Sequence, residues 1–163
     1  MENTRRYADI VEERMKKIDI NFVRQEVGED TGFAISVSGS HVSSLNVKFL
    51  IDQDGEAKYR CYIIDKVPKN KRMAVLEECN RLNSIYRYVN FSLDAEDGVC
   101  VGYDFSVFGD EEIIGDHVMD MLALCMSITD SHSEYIMKKL LEEESNEEEP
   151  SYINMNLFLS EGE

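Results

Sequence analysis

A chain of 163 residues with a net charge of −16 is long enough for one domain with a real core, and its charge excludes nucleic acid and anionic membrane surfaces as partners. No apolar run approaches the ~18–20 residues that cross a bilayer, and no charged-then-apolar leader opens the chain, so it is read as soluble and cytoplasmic. The four cysteines, Cys61, Cys79, Cys100 and Cys125, form no CxxC pair and read as reduced, small buried hydrophobes.

The charge is uneven. Residues 1–72 carry 13 Lys and Arg against 12 Asp and Glu, a balance of +1, whereas residues 73–163 carry 4 against 21, a balance of −17. The acidic half keeps the chain soluble and favours a basic protein partner.

Tyr7, Ile10, Val11, Met15 and Ile18 recur at helical spacing and predict a first helix over residues 4–19. Residues 21–27 read as a short edge strand. Phe33, Ile35 and Val37 then alternate with small and polar residues, and so do Leu45, Val47, Phe49 and Ile51. Asp52-Gln53-Asp54-Gly55 marks a hairpin, because Asp-Gly accepts the positive φ of a tight turn. The return strand covers 56–64, with Ala57, Tyr59, Cys61 and Ile63 inward and Lys58, Arg60 and Tyr62 on a wet face.

Pro68 opens a second helix whose predicted stripe is Met73, Leu76, Cys79, Leu82 and Tyr86. Near its end stand Asn80 and Asn83, both poor helix-interior residues; they are read as tying down the helix end, with ligand binding as the other reading. Strands follow over 88–93 and 99–107, joined by the turn Ala95-Glu96-Asp97-Gly98. Asp110, Glu111 and Glu112 crowd the start of a third helix over 111–142, with Ile114, Val118, Met121, Leu122, Cys125, Ile128, Ile136 and Leu140 as its stripe. The composition then shifts to glutamate runs and Pro150, followed by Tyr152-Ile153-Asn154-Met155-Asn156-Leu157-Phe158-Leu159. The division is a domain over 1–141 and an acidic linker with an apolar tail over 142–163, in which Ile153, Met155, Leu157 and Leu159 alternate as a docking strand would.

The element order, the Asn80-x-x-Asn83 pair, the FSLDAEDG hairpin, and Asp130 with Tyr135 resemble the YbjN-like family of bacterial proteins. That resemblance covers about residues 7–141. It implies a type III secretion chaperone-like α+β fold and the role of a sensory transduction regulator. It also implies homodimers, as in chaperones of similar fold, and supplies no catalytic residues. The Gly28–Gly32 turn and the 152–159 tail depart from the family pattern.

No constellation of catalytic or metal chemistry is legible. Asp130-Ser131-His132-Ser133-Glu134 hold triad residue types, but neighbours on one helix turn cannot align, and they read as a solvated helix face. Glu112, Asp116 and Asp120 share a face beside His117, as first-turn acids do without a metal. The Asp52-Gln53-Asp54-Gly55-Glu56 opening of a calcium loop lacks its twelfth-position glutamate, since Ile63 stands there. No P-loop or dinucleotide fingerprint is present, and no cofactor is expected.

The expected architecture is α+β, an antiparallel sheet with helices packed on one face, in the order α-βββ-α-ββ-α. The expected function is a non-enzymatic, protein-binding or chaperone-like adaptor or regulator. A small-ligand-responsive regulatory domain, with a polar pocket near Asn80 and Asn83, is the alternative; an unrecognised enzyme is the third reading.

Overall fold

A computed structural model describes residues 2–52 and 54–142, with side chains from Arg6 onward. Ten elements follow one another: α1 (Glu2–Lys17), β1 (Phe22–Val27), β2 (Asp30–Val37), β3 (Leu45–Ile51), β4 (Glu56–Ile64), a 3-10 turn (Lys69–Lys71), α2 (Arg72–Ile85), β5 (Asn90–Leu93), β6 (Val99–Ser106) and α3 (Glu111–Leu141). The fold is α+β, as the sequence implies, with four strands rather than three ahead of α2.

All strand pairs are antiparallel, and the order is β1-β2-β3-β4-β6-β5. The late hairpin therefore joins the sheet through its second strand, which leaves β1 and β5 as the two edges. Pairing register sorts the side chains into two faces. Phe22, Ile35, Val47, Cys61, Val101 and Phe91 form one row across all six strands. With Phe33, Phe49, Tyr59 and Phe105 they face the helices, and all of these but Phe22 are buried.

All three helices lie on that face. The α3 helix crosses it: the Tyr59 hydroxyl on β4 meets the Thr129 hydroxyl at 3.2 Å, and Val118, Leu122 and Cys125 are buried beside it. Asp110 caps α3 by accepting the Ile113 N–H at 3.0 Å. The α1 helix packs beside α3, fixed by Arg14 to Asp116 at 2.5 Å, and α2 packs on its other side.

The stripe on α2 differs from the predicted one. Val75, Glu78, Cys79 and Leu82 are buried, while Met73 and Leu76 are exposed. Both stripes satisfy helical spacing; the helix turns Val75 inward because its 14 residues must meet α3 and β5 together. Pro68 opens the 3-10 turn, and α2 itself begins at Arg72.

Candidate functional site

Two features of the late hairpin position the candidate residues. The first is the last turn of α2, which delivers Asn83 beside β5. The Asn83 amide donates to the Phe91 carbonyl at 2.9 Å, and its Oδ1 accepts the Phe91 N–H at 2.8 Å. Asp94 N–H bonds Gly98 carbonyl across the hairpin, so Asn90 and Ser92 bond β6 in the same phase and Phe91 points its backbone outward. Asn83 thus occupies, with one side chain, the place where a seventh strand would pair. Asn80 is exposed, whereas Asn83 bonds the strand; the structure does not bring the two asparagines into one site.

The second feature is the helix-free face of the sheet. Val23, Ala34, Lys48, Arg60, Gly102 and Asn90 form a row across all six strands on this side. Arg60 grips both carboxylate oxygens of Asp104, with Nη2 to Oδ2 at 3.1 Å, and lies flat over Gly102. Its guanidinium is pushed up, chiefly by the Asp104 hydrogen bonds. Lys48 sits 6.0 Å from the Tyr62 ring centre. Two open depressions lie here. One, about 360 Å³, is mainly apolar and lined by Val23, Ala34, Ile35, Val47 and Lys48 among others. The other, about 420 Å³, is polar and lined by Arg60, Arg87, Tyr88, Asn90, Ser92 and Asp104. The polar cleft is on the opposite side of β5 from the Asn83 contact with the helix layer.

The segment 130–134 is not a solvated face. Asp130 is buried and accepts the N–H groups of Ser40, His41 and Val42 at 2.7, 3.0 and 3.1 Å. Burial pushes its carboxyl up, but those N–H groups and the His41 ring outweigh that and hold it at about 2. A Cβ at Gly39 would collide with this carboxylate, so the loop between β2 and β3 is moulded around it. Ser133 is buried on its own helix, bonding the Asp130 carbonyl at 2.9 Å. His132 contacts the Tyr86 hydroxyl through Nε2 and packs edge-on against Phe91 at 6.3 Å. Burial, then Arg81 nearby, pushes its imidazole down. The sequence marks Asp130 through the family resemblance but not as an anchor, because its partners lie 88 to 90 residues away and no local pattern joins them.

These groups do not add up to catalytic machinery. Asp130 and His132 are committed to different structural partners. Burial pushes the thiols of Cys61 and Cys79 up to about 11 and that of Cys125 to about 12, far from thiolate reactivity. Among the described residues no group of three or more His, Cys, Asp or Glu could hold a metal ion. Asp116, in the acidic trio of α3, pairs with Arg14, while Glu112 and Asp120 stay exposed. Asp52 accepts the N–H groups of Asp54 and Glu56 at 2.9 and 3.0 Å, the pattern of a hairpin turn. No described helix is long and apolar enough to cross a membrane. Ile153, Met155, Leu157 and Leu159 lie outside the described residues.

The fold and its surfaces define a class: a single antiparallel sheet with one helical layer and one bare face. The chain belongs to the YbjN family, described as "Putative bacterial sensory transduction regulator", which matches residues 7–137. That is the description of a regulator and not of an enzyme. Among solved structures the fold is similar to the crystal structure of YbjN, "a putative transcription regulator from E. coli", with a TM-score of 0.51 and 14% identity over 77% of this chain and 92% of that chain. No curated protein matches the chain in sequence.

Proposed function

We propose that the chain is a non-enzymatic adaptor or chaperone-like regulator that holds a protein segment on the helix-free face of its sheet. The observation that carries this reading is the one-sided fold. Three helices cover one face, and the other presents Val23, Ala34 and Tyr62 with a shallow apolar groove. Extended segments suit such surfaces because strand rows supply evenly spaced side-chain sites. Net charge alone suggests a basic partner, but the charge is divided between the faces. Glu77, Glu112, Asp120 and Glu134 are exposed on the helices, whereas Lys48, Lys58, Arg60 and Arg87 edge the bare face or its cleft. Arg60 is held by Asp104 and Lys58 lies 3.9 Å from Asp52, so an apolar segment with an acidic residue near Lys48 or Arg87 fits the bare face best.

The polar cleft of about 420 Å³ favours a second reading, a regulator that responds to a small anionic ligand. Photo-crosslinking in the native host separates these possibilities. A photoreactive residue at position 34 or 62 should capture one and the same protein, and one at position 120 should not. Capture from position 120 alone would overturn the assignment of the face. Capture from none, with a small anion protecting Arg87 from chemical modification, would favour the ligand.

A further inference from the structure

The β1 strand is one of the two edges of the sheet, and half of its backbone groups face outward. Gly28 and Glu29 form a two-residue hairpin loop, with Gly28 at φ 66 as the first position of a II′ turn requires. Such a loop closes on a hydrogen-bonded pair, here Val27 and Asp30. By alternation Val27, Gln25 and Val23 turn their backbone groups toward β2, and Glu26, Arg24 and Phe22 turn theirs outward. The α1 helix reaches this strand through the Arg24 side chain, whose Nη1 meets Asp9 at 2.7 Å and Glu12 at 2.5 Å. Val23 and Val27 stand exposed on the bare face.

We propose that two copies of this chain join their β1 strands antiparallel about a two-fold axis at Gln25, making one continuous sheet. Three registers keep outward backbone groups paired near the strand centre. Centring on Arg24 sets Arg24 against its own copy, and centring on Glu26 sets Glu26 against its own copy; like charges directly opposite are unfavourable. Centring on Gln25 sets Arg24 against Glu26 twice, and Val23 against Val27 twice. The charges fall on the helix side, where Glu26 already lies 3.4 Å from Arg24 Nε. The valines fall on the bare face, so the apolar groove beside Val23 continues across the axis. Charge and hydrophobicity select the same register, and a two-fold operation closes the assembly without leading to fibres.

Five paired residues on each strand, 23–27, span about 17 Å. An interface of that size falls below the roughly 1,200 Å² of a stable complex, so the dimer exchanges with monomer as concentration changes.

Cysteine cross-linking of the full chain tests the register, since Cys61, Cys79, Cys100 and Cys125 are all buried. In a non-hydrogen-bonded antiparallel pair the Cα atoms stand about 4.5 Å apart, within disulfide reach. Gln25→Cys should therefore form an intermolecular disulfide under mild oxidation. Val23→Cys alone sits about 14 Å from its own copy and should link at least about ten-fold more slowly. A mixture of Val23→Cys with Val27→Cys should link as the Gln25 variant does. In sedimentation, the wild type should shift toward dimer in the high-micromolar range and Glu26→Lys should remain monomeric. The proposal is overturned by a Gln25→Cys chain that stays reduced and monomeric there, by equal linking rates at positions 23 and 25, or by an undiminished dimer in Glu26→Lys.

Discussion

At the β5 edge, the outward N–H and C=O of Phe91 are both taken by the Asn83 amide. At the β1 edge, the outward groups of Arg24 and Glu26 meet no such side chain among the described residues, and the strand relies on charge. Two strands of one sheet are thus finished in different ways. An edge plugged by a neighbouring helix cannot accept another strand, whereas an edge guarded by charges accepts only a strand whose charges are complementary. The sheet can grow in one direction only.

The comparison breaks most forcefully at Asn83. Asn83→Ala strands both polar groups of the buried Phe91 backbone, and equilibrium urea unfolding should record a loss of about 1–3 kcal/mol. With the plug gone, the chain has two open edges, so light scattering should detect species larger than a dimer at high concentration. Asn83→Asp sharpens the point. It keeps an acceptor for the Phe91 N–H but sets a carboxylate against the carbonyl, so it should open the edge without removing side-chain volume.

At β1 the matching change acts on association more than on folding. Glu26→Lys unpairs the one buried Thr31 hydroxyl, 3.2 Å from Glu26, against two groups at Asn83, and should cost about 1 kcal/mol in the same unfolding assay. Its larger consequence is the loss of self-association described above. Destabilisation exceeding that of Asn83→Ala would mean that β1 is not the looser edge.

The smallest effect is one of pH, and it belongs to the β5 side. His132 packs on Phe91, and its imidazole is held below the ordinary histidine range by burial. A depressed folded value contributes stability that is fully present above the unfolded value near 6.5 and lost as pH falls through the folded value. Thermal unfolding between pH 7 and 5 should therefore show a decline that His132→Gln flattens. Asp130 acts in the same direction at lower pH. Its contribution is present above about 3.8 and disappears as pH approaches about 2, so the loop at residues 39–42 should hold through the range in which His132 titrates.

Much of the fold is legible because its signals are local. Alternation in β2, β3, β4 and β6, and the turn chemistry of Asp54-Gly55 and Asp97-Gly98, identify the strands and hairpins as they stand. The α2 stripe is not legible in the sequence because Met73–Leu76 and Val75–Cys79 both obey helical spacing, and only α3 and β5 choose between them. Asn80 and Asn83 stand out together by composition. That one is exposed and the other plugs an edge depends on which face of the last α2 turn meets β5.

The α+β class, the strand faces and the wet side of β4 can be read from local pattern alone, because side-chain period and turn propensity are properties of a few consecutive residues. The pairing of β4 with β6, the place of β1 and β5 as edges, and the anchoring by Asp130 of a loop some 90 residues earlier emerge with the folded packing. These are contacts between segments far apart in the chain, chosen by the joint packing of three helices on one sheet, and no local pattern encodes them.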